Sequence, residues 1–158
     1  MGLFTGLRKP VNCISAIADG KVIRLENISD QAFANQMVGD GIALELNTRT
    51  IYSPCEGIVS MIAPTGHAFA ITTANGAEVL VHIGLKHNLS KQHFNYYVNV
   101  NDAVDNTMPI VSLTEDAEAL IENSLIVVII VLNYQQHPIQ TRTTAMNISR
   151  GKKLFTCR

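Results

Sequence analysis

Short runs of Val, Ile, Leu, Phe and Thr, separated by Gly, Asn, Asp and Pro, recur along the chain and predict strands. They cover Ile14 to Ile17, Gly20 to Leu25, Ile42 to Leu46, Gly57 to Ile62, Phe69 to Thr73, Glu78 to Ile83, Met108 to Leu113 and Leu125 to Leu132. Two short helical pieces are expected between them. From Asp30 to Met37, residues Ala32, Phe33, Gln36 and Met37 share one face. From Asp116 to Asn123 the first turn is acidic, and Thr114 stands where a cap belongs. No repeat, linker or low-complexity block interrupts the pattern. It reads as all-β, an antiparallel β-sandwich or barrel with short helical turns, in one domain over residues 11–158 behind an N-terminal tail of residues 1–10.

Composition narrows the class. Of 158 residues, 47% are apolar and 16% charged, enough to bury one core. The net charge is −1, and no run of Lys or Arg exceeds two, so a nucleic-acid partner is not expected. The aliphatic run Leu125 to Leu132 is eight residues, against about twenty for a membrane span. The first nine residues lack the charged-then-apolar order of a signal peptide. Three cysteines, Cys13, Cys55 and Cys157, fall in no C-x-x-C spacing and suit free thiols in a reducing, cytoplasmic setting.

Chemistry concentrates between Thr65 and Leu85. Asn75-Gly76 between two β-prone runs predicts a two-residue type I′ hairpin. In that register Ala74 pairs with Ala77, Phe69 faces His82, and His67 stands opposite Gly84. The two histidines then share one sheet face as diagonal neighbours, roughly 7–8 Å apart at Cα, with Thr65 two residues further along. A slip of one residue would send His82 to the other face. A single histidine in an apolar strand is most often packed and structural, but two on one face are costly to bury without purpose. Such a pair suits nucleophilic chemistry, a metal or a groove. His87, His93 and His137 lie in polar, turn-like surroundings and read as surface residues. No G-x-S-x-G, H-E-x-x-H or P-loop pattern occurs.

Gly39-Asp40-Gly41-Ile42-Ala43, Ser53-Pro54-Cys55-Glu56-Gly57, His67-Ala68-Phe69 and Glu78-Val79-Leu80-Val81-His82-Ile83-Gly84 together resemble the glucose-type enzyme IIA component of the bacterial sugar phosphotransferase system. Order and spacing agree over about residues 11 to 157, with the two histidines fifteen apart. The resemblance implies an antiparallel β-sandwich with barrel character. It implies that His82 carries a phosphoryl group, that His67 steadies the phosphate and that Thr65 orients His67. The implied partners are HPr as donor and a IIB domain of a sugar permease as acceptor, with no cofactor and no metal. Around the pair, Phe33, Val38, Phe69 and Ile71 are expected to form an apolar rim that excludes water and docks the partner.

The chain departs from the family pattern after His82. Where the family has Gly-Ile-Asp-Thr-Val, this chain has Gly84-Leu85-Lys86-His87-Asn88, so an acid becomes a base. At about 8 Å each unit charge is worth roughly 0.5–2 kcal/mol before screening, which makes Lys86 a determinant of partner docking. The family's Gly-x-Gly-Phe becomes Lys91-Gln92-His93-Phe94, and turn glycines near Asn101 and Thr107 are gone. Asn tolerates a positive φ and Thr does so poorly, so changed loop shapes are expected. The alternatives are a regulatory relative that binds other cytoplasmic proteins according to its phosphorylation state, a zinc hydrolase, and a binding module with both histidines structural.

Overall fold

A computed structural model describes residues 10–85, 89–117 and 124–158. The strands are β1 (Asn12–Ser15), β2 (Gly20–Ile23), β3 (Asp40–Leu46), β4 (Thr50–Tyr52), β5 (Gly57–Ile62), β6 (Ala68–Thr72) and β7 (Glu78–Ile83). There follow β8 (Phe94–Tyr96), β9 (Ala103–Val104), β10 (Pro109–Leu113), β11 (Leu125–Val131), β12 (Ile139–Arg142), β13 (Asn147–Ile148) and β14 (Lys153–Cys157). Among the described residues, helical structure amounts to two 3₁₀ turns, Leu25–Asn27 and Lys91–His93, the short helix α1 (Gln31–Ala34), and a helical turn at 115–117. The all-β expectation holds. The helix expected from Asp116 to Asn123 falls mostly on 118–123, outside the described residues.

One eight-stranded antiparallel sheet runs in the order β13-β2-β3-β11-β7-β6-β5-β9, and two three-stranded sheets, β1-β14-β12 and β4-β10-β8, accompany it. Side chains alternate across the large sheet with period two. Ile42, Leu44, Leu46, Phe69, Ile71, Val79, Val81, Ile83, Val127 and Ile129 face a main core shared with Ile14, Leu154 and Phe155 of one small sheet and Ile51, Ile110 and Val111 of the other. Ala43, Ala68, Ala70, Leu80, Val128 and Ile130 face the opposite way, into a second cluster with Leu25, Ile28 and Phe33. β11 reads as a continuous apolar run because both its faces are covered.

α1 is shorter than the apolar pattern predicts. The Asp30 carboxylate caps it, accepting from the backbone N–H groups of Ala32 and Phe33. It ends at Asn35, and Gln36 turns out with φ +57, so Gln36 and the 76%-exposed Met37 do not join Phe33 on a buried face. The loops that lost glycines behave unequally. Asn101 keeps a left-handed conformation, φ +79. Thr107 needs none: the Asp105 carboxylate accepts from its backbone N–H at 2.8 Å and its hydroxyl at 2.5 Å, and the Met108 N–H closes the turn on the Asp105 carbonyl.

Candidate functional site

The β6–β7 hairpin is built one residue differently from a two-residue Asn-Gly turn. Ala68 pairs with His82, Phe69 with Val81, Ala70 with Leu80 and Ile71 with Val79. The loop has three residues, Ala74, Asn75 and Gly76, closed by a Thr73 N–H to Ala77 carbonyl bond of 2.9 Å. Gly76 supplies the positive φ of +94 and donates its N–H to the Thr73 carbonyl. Asn75 is held by the Thr73 hydroxyl at 2.8 Å and the Asn12 amide at 2.9 Å.

This register moves Phe69 and Ile71 away from the histidines. Both are fully buried in the main core, on the face opposite His82, and neither can belong to a docking rim. His82 lies beside the small Ala68 on one side and pairs with Val128 of β11 on the other, on the face of the second cluster.

His67 reaches the same face by leaving the strand. Regular alternation would turn it with Phe69 toward the main core. β6, however, begins only at Ala68, and Gly66, at φ +82, redirects the chain just before it. The imidazole rings of His67 and His82 therefore meet with centroids 5.0 Å apart and planes at 76°. The Thr65 hydroxyl is hydrogen-bonded to Nδ1 of His67. Phe33, presented by α1, packs edge-on against His82 at 5.1 Å. Val38, 37% exposed, lies in the segment between α1 and β3. Lys86 is outside the described residues.

The two nitrogens of His82 differ. Nδ1 is buried with no partner in full hydrogen-bond geometry. The half-buried ring therefore offers its Nε2 edge outward. Burial, above all, and the neighbouring His67 hold the His82 pKa below the ordinary 6.5. The Gly84 backbone, in the sense of a carbonyl facing a ring N–H, and the Asp30 carboxylate act the other way. A neutral imidazole with an accessible nitrogen is a nucleophile at neutral pH. Among the described residues no group of three His, Cys, Asp or Glu side chains converges as metal ligands. A cavity of about 840 Å³ lies at the far end of the same hairpin, lined by Cys13, Cys55, Glu56, Thr72, Asp105 and Asn106 among others, and includes neither imidazole. The three thiols are free, and burial pushes that of Cys55 up to about 12.

Three participants escape a sequence reading. Asp30 signals a helix cap, and its reach to His82 is tertiary. The Gly66 turn carries only a lone glycine as its signal. Tyr96, whose hydroxyl donates to the Gly66 carbonyl at 2.6 Å, is thirty residues away in the chain.

Comparison with known proteins identifies the family of the chain. The sequence profile described as phosphoenolpyruvate-dependent sugar phosphotransferase system, EIIA 1, matches residues 12–137. The PTS system glucose-specific EIICBA component of Streptococcus pneumoniae serotype 4 is 53% identical over 72 residues, 46% of this chain and 10% of that protein. The glucose-specific EIICBA component of Staphylococcus carnosus is 32% identical over 115 residues, 72% of this chain and 17% of that protein. The chain thus spans less than a fifth of the length of these two curated relatives. The solved glucose permease IIA from Mycoplasma capricolum matches with a TM-score of 0.82 at 27% identity, over 94% of this chain and 96% of that one. A profile match over most of the chain and a whole-chain structural match agree: the chain belongs to the EIIA 1 family of the phosphoenolpyruvate-dependent sugar phosphotransferase system.

Proposed function

We propose that this protein is a cytoplasmic phosphoryl carrier for sugar uptake, taking a phosphoryl group from phosphorylated HPr onto His82 and passing it to a IIB domain of a sugar permease. The observation that carries the reading is the His67–His82 pair, one ring held by Thr65 and the other neutral with its Nε2 edge outward.

In the first step the Nε2 lone pair of His82 attacks phosphorus, and the P–N bond to the donor imidazole breaks with its electron pair returning to that ring. Nδ1 of His82, buried in the protein, keeps its hydrogen throughout. In the second step a IIB thiolate attacks the same phosphorus and the Nε2–P bond breaks. With the Thr65 hydroxyl donating to Nδ1 of His67, that ring carries its hydrogen on Nε2 and donates to the phosphoryl oxygens, where charge grows in the transition state. Phe33 shields one side of His82, and Val38 extends an apolar surface for the partner. A phosphoramidate keeps its transfer potential, so the relay runs in both directions.

The test uses purified protein with phosphoenolpyruvate, enzyme I and HPr, followed by intact mass. Wild type gains one phosphoryl group, stable to alkali and labile to acid, and His82→Ala gains none. His67→Ala still accepts it, but onward transfer falls by about 10²–10³-fold, the usual loss for one transition-state donor. A wild-type protein that stays unmodified beside fully phosphorylated HPr contradicts the reading.

A further inference from the structure

We infer that Tyr96 is a positioning residue for His67, holding through the Gly66 carbonyl the peptide from which the His67 ring departs. Its functional consequence rests on the carrier reading above; its structural consequence rests on geometry alone.

The Gly66 carbonyl belongs to the same planar peptide as the His67 N–H, so whatever holds that oxygen fixes the plane entering the His67 Cα. Gly66 sits at φ +82, where the backbone is otherwise most free to rotate. Its N–H is tied to the Ala63 carbonyl at 2.8 Å, and its carbonyl accepts the Tyr96 hydroxyl at 2.6 Å. On the other side of His67, its own carbonyl accepts the Ile83 N–H at 2.7 Å. Both peptides flanking the His67 Cα are therefore anchored, one by β7 and the other by Tyr96. The direction of its Cβ, and hence of its ring toward His82, follows from that pair of anchors.

Tyr96 is itself well placed. It lies on β8 in the small sheet beside β10, and its ring packs edge-to-face on Phe69 at 6.4 Å. Burial pushes its hydroxyl pKa upward, which keeps it a donor. Phe94, two residues earlier, closes the other side of the turn: a Cβ on Gly66 would meet its ring at 2.8 Å. The small sheet thus grips the turn at two points, and only the Tyr96 contact fixes the orientation of the peptide.

The decisive variant is Tyr96→Phe, which removes one oxygen and keeps the ring on Phe69. Loss of one neutral hydrogen bond acting through His67 is expected to slow onward phosphoryl transfer about 3- to 10-fold. The imidazole ¹H–¹⁵N resonances of His67 should move at the same time. The double variant Tyr96→Phe/His67→Ala should transfer no more slowly than His67→Ala alone, because Tyr96 has no other route to the phosphate. Unchanged His67 resonances, or a rate loss that persists in the His67→Ala background, overturn the inference. Should wild type accept no phosphate at all, the carrier reading fails, and the His67 resonances alone decide the positioning role.

Discussion

The protonation of His82 is set by what surrounds its ring. Burial and His67 disfavour its charged form, so its folded pKa lies below the ordinary 6.5, while an unfolded chain takes the proton near that value. The ring's contribution to stability is therefore complete above about pH 6.5 and is lost as pH falls through the folded midpoint. Imidazole NMR should show His82 titrating below 6.5 and its midpoint rising in His67→Ala, where the repelling charge is gone. His82→Gln should remove the corresponding slope from denaturation midpoints measured against pH. An unmoved His82 midpoint in His67→Ala would mean the two rings do not interact. His67, His82 and Thr65 stand out in the sequence by residue type and motif, but the register read there is one residue off, and the Gly66 turn, not strand alternation, brings His67 beside His82. Asp30 and Tyr96 do not: the charge of Asp30, at the cap of α1, nears His82 only in the folded chain, and Tyr96 meets the Gly66 carbonyl from thirty residues away.

Register is the matter of the element. Asn75-Gly76 fits both a two-residue and a three-residue loop, since each needs a positive φ at Gly76. The hydrophobic pattern decides between them. Pairing Phe69 with Val81 and Ile71 with Val79 puts the bulky side chains of both strands on the core face and leaves Ala68 and Ala70 with Leu80 and His82. That choice is present in the sequence, in the alternation of β6 and β7 taken together, and a turn motif read alone misses it. The glycines before this hairpin and in its loop, Gly66 and Gly76, then make different demands. Gly76→Ala meets only His137 at 3.7 Å, so it carries backbone strain of about 1 kcal/mol. Gly66→Ala carries the same strain and also presses on Phe94 at 2.8 Å, so it should cost about 2–3 kcal/mol by urea denaturation and displace His67. Equal losses at the two positions would contradict the tight packing of the Gly66 turn.

Across the molecule, the large sheet is covered on both faces, and this sets the histidine pair apart from the main core. The main core lies between it and the two small sheets, and the histidines stand on the opposite face. Phe69 is a core residue, so Phe69→Ala should cost about 3–5 kcal/mol in stability. A stable Phe69→Ala protein with impaired transfer would contradict that assignment and restore Phe69 to the docking surface. The fold class was legible from the long apolar strands, because burial on one or both faces leaves a period in the sequence. β12 and β13, largely exposed or very short, leave no such period, and their places are set by pairing with β14 and β2.

If the outward nitrogen of His82 carries the phosphoryl group, the ring nitrogen that becomes phosphorylated reveals it. Protein labelled with ¹⁵N in its histidine rings and phosphorylated through HPr, read by ¹H–¹⁵N and ³¹P NMR, should show a single phosphohistidine at Nε2 of His82. Phosphate at Nδ1, or on His67, would rule out the outward nitrogen of His82 as the carrier.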